Sequence, residues 1–263
     1  MASVVRLFRH LLPNPPLCLP VQLEQVPIIT VLGMHRSGTS VVTGMLEENG
    51  LYLGPVRRQG NPNQPKGNRE NPEVSRLDQR VLAYNGGTWW RPPLERRIKF
   101  TRRHLQRRNE ILADYGRTPF AIKDPRMLLL LDFWRDALGR PIGVIRNPVS
   151  VMRSLRSRGG RTADFSDDEH LGLWKAYNRR LLDELRKNPF PVVDFERRES
   201  LSKQVIAAIR HHGIALSTPP EDEDTFFEPG AVRHNGGLWR DDIRDPEVLE
   251  LWDELVSYAE YAG

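Results

Sequence analysis

The residues in this chain best suited to chemistry lie in a short glycine-bounded turn, Gly33-Met34-His35-Arg36-Ser37-Gly38-Thr39-Ser40. An apolar run, Ile28 to Leu32, precedes it, and Val41-Val42-Thr43-Gly44-Met45-Leu46 follows. That order reads as a buried strand, a tight turn and a helix. A helix that opens directly after such a turn aims its unbonded N–H groups and the positive end of its dipole at one spot. The spot suits a phosphate or a sulfate. Gly33 and Gly38 let the backbone approach an anion with no Cβ in the way, and Arg36 places a guanidinium inside the turn. Two further basic elements, Lys123-Asp124-Pro125-Arg126 and Arg146-Asn147-Pro148, each follow a short apolar run.

The spacing G-x-x-x-x-G-T-S is similar to the phosphate-binding loop of nucleotide-triphosphate proteins, with Thr39 where that loop has its lysine. Arg36 is the cation here. The ligand implied carries phosphate, but the reaction implied is not ordinary ATP or GTP chemistry.

The elements that must position these residues alternate. Strands are expected at about 27–33, 120–122, 142–145 and 191–196. Helices are expected at about 39–48, 74–82, 94–113, 127–138, 149–158, 169–185, 201–211 and 247–261, from apolar spacing and from glycine or proline punctuation. Pro148 fits the first turn of its helix. The 94–113 helix reads as basic and amphipathic, buried through Leu94, Ile98, Leu105 and Leu112. Eight Lys or Arg lie between residues 91 and 108, forming either a solvated face or a wall that attracts an anion. Residues 51–73, rich in Gly, Pro and Asn, form a long structured loop, and such loops in compact domains are usually functional or disordered.

Alternating strands and helices predict an α/β fold with a parallel central sheet and helices on both faces. Ligands then bind at the C-terminal ends of the strands, where Gly33–Ser40, Lys123 and Arg146 stand. We expect residues 1–26 to be an N-terminal arm and 27–263 to be a single domain, without internal repeats.

Composition narrows the class. With 39% hydrophobic and 28% charged residues the chain is of globular type. A formal charge of +5 favours anionic ligands without implying nucleic acid. The single cysteine, Cys18, forms no intramolecular disulfide, and Cys/His metal spacing is absent. No apolar run approaches the roughly 20 residues a membrane span needs. The segment Met1–Leu12 makes a poor secretory signal, so the expected location is cytoplasmic.

Taken together, the pattern resembles the sulfotransferase family, which uses 3′-phosphoadenosine 5′-phosphosulfate (PAPS) and has a fold like that of P-loop nucleotide hydrolases. Gly33–Ser40 is similar to the family's 5′-phosphosulfate loop. Arg146-Asn147-Pro148, with Ser154 eight residues past Arg146, is similar to its 3′-phosphate motif. Lys123-Asp124-Pro125-Arg126 resembles the K-D-P element of tyrosylprotein and many bacterial sulfotransferases. Asn63 to Glu70, with Trp89 or Trp90 further on, is similar to the N-P-x-G-x-x-E…W stretch of a bacterial branch. The match spans roughly residues 27–240 and departs from that branch in lacking aromatic residues between Gly67 and Glu70.

The resemblance implies PAPS as donor, PAP as product and no metal. It implies His35, Arg36, Ser37, Gly38, Thr39, Ser40, Arg146, Ser154 and Arg233 as donor-binding residues. Arg36 and Lys123 would stabilise charge on the transferring and leaving groups, and Glu70 would be the base that takes the acceptor's proton. The acceptor would be a hydroxyl or amine on a small molecule, glycan, peptide or lipid, with its site shaped by the 51–73 loop, the basic helix and residues 159–170. Trp89 and Trp90 suit either core packing or stacking on a ring. His170, Trp174 and Tyr177 share one helical side and suit either the core or the pocket.

Two other classes stay open on sequence alone. A P-loop nucleotide kinase or hydrolase lacks its lysine and a convincing magnesium site here; Asp132 imitates one but sits in the expected 127–138 helix. A non-enzymatic polyanion-binding protein would use residues 91–108, which lack the interleaved aromatics of a single-strand nucleic-acid surface. We expect no nucleic-acid partner.

Overall fold

The computed structural model describes residues 28–60, 66–94, 97–116, 119–215 and 239–260. The expected N-terminal arm and Arg233 lie outside these residues. Four strands form one sheet: β1 (Ile28–Gly33), β2 (Phe120–Lys123), β3 (Arg140–Ile145) and β4 (Val192–Asp194). Their order is β2-β1-β3-β4, and every neighbouring pair is parallel.

The eight helices among the described residues are α1 (Thr39–Glu48), α2 (Pro72–Tyr84), α3 (Arg102–Ala113), the short α4 (Leu131–Trp134), α5 (Pro148–Arg158), α6 (Asp167–Lys187), α7 (Leu201–His211) and α8 (Pro246–Glu260). They cover both faces of the sheet, because successive strand residues point to opposite sides. Ile29 and Val31 of β1 join Ile142, Val144 and Val193 in a core closed by α1 and α7. Ile28 and Leu32 join Phe120, Ile122 and Ile145 in the opposite core, with α2, α3, α5, α6 and α8. Strands buried on both faces carry nearly continuous apolar runs, as β1 does.

β1 leads toward β2, and β3 leads toward β4. The connections therefore part between β1 and β3, which opens a crevice at the C-terminal ends of these two strands. The Gly33–Ser40 turn leaves β1 there, and Arg146-Asn147-Pro148 leaves β3 beside it.

Two expected helices differ. The 94–113 helix begins only at Arg102, where Thr101 and His104 form a reciprocal cap. Before it, both backbone groups of Lys99 bind the side chain of Asn85 at 2.8 Å, and Ile98 N–H donates to Asp132 Oδ2 at 3.1 Å. These bonds take the backbone groups a helix would need, and Leu94, expected to be buried, is fully exposed. The supposed basic wall is also interrupted. Arg108 is wholly buried on Asp136, and Arg107 pairs with Glu73 and Glu110.

The 127–138 helix is broken into a 3-10 turn (Pro125–Leu130), α4 and a second 3-10 turn (Arg135–Ala137). Asp124 caps Arg126 N–H, and all six residues of the first turn are buried, so no polar face orients a regular helix. Asp132 is exposed, and no group of metal-ligating side chains occurs among the described residues. No helix among them is long and apolar enough to cross a membrane.

Candidate active site

The turn after β1 has the backbone its sequence requires. Gly38 caps α1 in the left-handed region (φ +92°), and a Cβ there would lie 2.2 Å from the Phe195 ring. No side chain caps the helix, so its first N–H groups face the crevice. The Ser37 hydroxyl is fully buried without a hydrogen-bond partner. A buried orphan hydroxyl costs free energy unless something else satisfies it, and an anion at the turn would do so. Arg36 also sits in the left-handed region, at φ +69°, and its carbonyl accepts a hydrogen bond from Arg146 Nη1 at 3.1 Å.

That bond ties the turn to the end of β3. Arg36 Nε donates to Ser154 Oγ at 2.8 Å, across to α5. The structure therefore brings Arg36, Arg146 and Ser154 together. Arg146 is held by Glu196 Oε1 at 3.3 Å and lies over Phe195, and its carbonyl accepts from Trp174 Nε1 at 3.1 Å. The sequence Asp194-Phe195-Glu196 thus supports the arginine just past β4. Arg158, one helical turn after Ser154, joins this group without having been singled out in the sequence. Its spacing of four from Ser154 was the available signal. Burial, then Arg158, then Arg146 pull the Arg36 guanidinium down to about 10. Among the described residues neither Arg36 nor Arg158 has a carboxylate partner. An anion bound beside them would relieve the repulsion among these like charges.

A second cluster lies toward β2. Lys123 Nζ, buried at the end of that strand, is 3.0 Å from Glu70 Oε1 and 3.3 Å from Ser40 Oγ. Ser40 Oγ donates in turn to Asn68 O at 3.0 Å, which ties the long loop to the start of α1. Arg126, also missed as a site residue, has Nη1 at 2.8 Å from both Asp124 oxygens and 3.8 Å from Glu70 Oε2. Ser75 Oγ holds Asp124 Oδ2 at 2.8 Å. Burial works against the Glu70 charge, but Lys123 and Arg126 outweigh it and hold the carboxyl below its ordinary range.

His35 lies between the clusters. Its ring packs on Trp89 at 4.4 Å and edge-on to Tyr177 at 6.0 Å, and Nε2 is buried without a partner. Burial first, then Arg126, Lys123, Arg158 and Arg36, hold the imidazole well below its usual range, so it is neutral. His170, Trp174 and Tyr177 are all buried in the core of α6. Tyr177 also donates to Trp89 O at 2.9 Å.

No protein-family model matches the sequence, and no curated protein matches it. Among solved structures, the chain is similar to the sulfotransferase domain from the Synechococcus PCC 7002 olefin synthase. The TM-score is 0.50 at 17% identity, over 95% of this chain and 97% of that one. It is also similar to the sulfotransferase domain from the curacin biosynthetic pathway, with a TM-score of 0.45 at 14% identity, over 90% and 97% of the two chains. The first likeness shows the fold: an α/β arrangement of the sulfotransferase-domain type, with a parallel sheet between helices. At this identity it shows the fold alone, and the argument for activity comes from the crevice.

Proposed function

We propose that the chain is a PAPS-dependent sulfotransferase that moves a sulfuryl group to a hydroxyl or amine and releases PAP. The observation that carries this reading is the joining of two anion-binding elements in one crevice. Arg36 of the turn reaches Ser154 at 2.8 Å, while Arg146 reaches back to the carbonyl of Arg36 at 3.1 Å. A donor with phosphate at both ends of one ribose suits such a pair. The residues fit it: the orphan Ser37 hydroxyl, the capless helix end, and Arg36 and Arg158, which have no carboxylate partner among the described residues, all favour negative charge.

PAPS supplies an activated sulfuryl group on a phosphate leaving group. The chain's own residues divide the rest. Ser37, Gly38, Thr39 and Ser40 hold the 5′-phosphate through backbone N–H groups and hydroxyls. Arg146, Ser154 and Arg158 hold the 3′-phosphate, with Arg233 proposed as a further ligand, and Arg36 spans the two groups. Lys123 stabilises charge at the sulfuryl end. Glu70 is the base: its ionised state leaves it free to accept a proton, and its contact with Lys123 tunes it. Once Lys123 is shared with anionic oxygens, it holds Glu70 less tightly and the carboxylate becomes more basic. His35 is neutral before the donor binds, and its unpartnered Nε2 is available to the donor. We read residues 27–263 as one domain, with a cytoplasmic location and a small-molecule, glycan, peptide or lipid acceptor.

Incubating the protein with ³⁵S-labelled donor and cell extracts should yield a labelled product. Glu70→Gln should abolish turnover while retaining adenosine 3′,5′-bisphosphate binding. Unchanged turnover would remove the base role.

A further inference from the structure

The two adjacent tryptophans sit at the tip of a closed turn. Thr88 N–H donates to Arg91 O at 2.8 Å, and Arg91 N–H donates to Thr88 Oγ1 at 3.0 Å. The Tyr177 hydroxyl fixes Trp89 O to α6. Trp89 covers His35, whereas Trp90, edge-on to Trp89 at 5.6 Å, lines a cavity of about 190 Å³ with Phe165, Glu169, Gly172 and Leu173. The cavity is thus two ring contacts away from the phosphate-binding turn.

Gly172 is the telling residue. It stands within α6, where glycine is the poorest helix former after proline. Its backbone is not in the left-handed region, and a Cβ placed on it would meet nothing within 4 Å. Neither backbone geometry nor close packing requires glycine there. The effect of the missing side chain is to leave the cavity open. Glu169, one turn earlier on the same face, keeps Oε2 on Ser166 N–H at 2.9 Å, which steadies the carboxylate and leaves Oε1 for a ligand. Arg91 lines the cavity as well.

We propose that this cavity seats one ring of the acceptor and that the ring is a sugar; the inference rests on the sulfotransferase reading above. Trp90, whose ring also carries the Arg161 guanidinium with Cζ 5.5 Å from its centroid, and Phe165 offer aromatic surface to the C–H groups of a pyranose. Glu169 accepts hydrogen bonds from ring hydroxyls, and Arg91 donates to them. The volume, about 190 Å³, suits a single ring and lies below the roughly 300 Å³ at which pockets for drug-sized ligands begin. A phenol has one hydroxyl and can answer only one of Glu169 and Arg91, whereas a sugar offers several.

The test is a titration of ¹⁵N-tryptophan-labelled protein with the methyl glycosides of glucose, galactose and N-acetylglucosamine, and separately with phenol. Trp90→Phe assigns the Trp90 indole signal. At least one glycoside should shift that signal saturably. Gly172→Leu should weaken this binding by about tenfold or more through overpacking, with thermal stability retained and adenosine 3′,5′-bisphosphate binding unchanged. A shift with phenol but with no glycoside overturns the proposal, as does glycoside binding that Gly172→Leu leaves intact. The glycoside titration needs no donor, and bisphosphate calorimetry needs no acceptor, so the two readings fail separately. Glycoside binding without bisphosphate binding would overturn the cavity's role as an acceptor site. Bisphosphate binding without glycoside binding would overturn the sugar and leave the donor reading standing.

Discussion

The two sides of the crevice handle charge in opposite ways. Toward β2, Lys123 meets Glu70 and Arg126 meets Asp124, so two cations face two carboxylates in a buried network. Toward β3, Arg36, Arg146 and Arg158 lie near one another, and the Arg36 guanidinium is held by the Ser154 hydroxyl, with no carboxylate on Arg36 or Arg158 among the described residues. The first side balances its charges internally, although Arg126 Nε stays buried without a partner. The second gains most when an anion arrives. On the proposed reading, the β3 side binds the charged donor and the β2 side holds Lys123 and Glu70 in place for transfer.

The contrast can be broken from either side. The largest expected effect is on the paired side. Lys123→Met leaves Glu70 buried beside Arg126 alone, and we expect a loss of about 3 kcal/mol in stability, read by denaturant unfolding. Bisphosphate affinity in the folded fraction should change far less. If instead stability holds and bisphosphate affinity collapses, the division between the two sides is wrong.

Next comes Arg146→Ala. It removes the grip on the Arg36 carbonyl together with a cation, so adenosine 3′,5′-bisphosphate should bind about 100-fold more weakly, in line with a lost charge-assisted contact. Adenosine 5′-phosphate should lose much less; equal losses would remove the 3′-phosphate assignment. A smaller effect is expected for Ser154→Ala, which takes away one neutral hydroxyl. We expect about a fivefold loss of bisphosphate affinity, of the size of one hydrogen bond, with a loss of about 1 kcal/mol in stability because Arg36 Nε loses its partner.

The smallest effect is one of pH. Burial and four nearby cations depress the His35 imidazole. The unfolded chain takes up this proton near pH 6.5, and the folded chain does not. Stability therefore falls as pH drops below about 6.5, until the depressed folded value is reached. His35→Gln should flatten that part of the curve, and bound bisphosphate should make the fall shallower by offsetting the cations. Parallel curves for the two proteins would show that His35 carries none of the effect.

What could be read in the sequence was mostly local. The β1–turn–α1 unit is written in consecutive residues, and so is the strand-then-Arg146 step with Pro148 opening α5. Glu70 and Lys123 lie 53 residues apart, and it was the resemblance that connected them before the ion pair was seen. Three features escaped because they depend on distant partners. The start of α3 is set by Asn85, 14 residues upstream of Lys99, while apolar spacing alone runs the helix back to Leu94. Arg126 reads as the end of a motif until Asp124 and Ser75 are seen to aim it. Arg158 looks like one more surface arginine until α5 is folded against the Arg36 turn. The break within 125–137 was hidden for another reason: a run of buried Leu residues has no polar face from which to read a period.

The central claim is that the crevice is built for a donor carrying phosphate at both ends of one ribose. Calorimetry with adenosine 3′,5′-bisphosphate and with ATP, each with and without magnesium, tests it most directly. The account predicts that the bisphosphate binds without magnesium and more tightly than ATP. Absence of bisphosphate binding, or a magnesium-dependent preference for ATP, would contradict it.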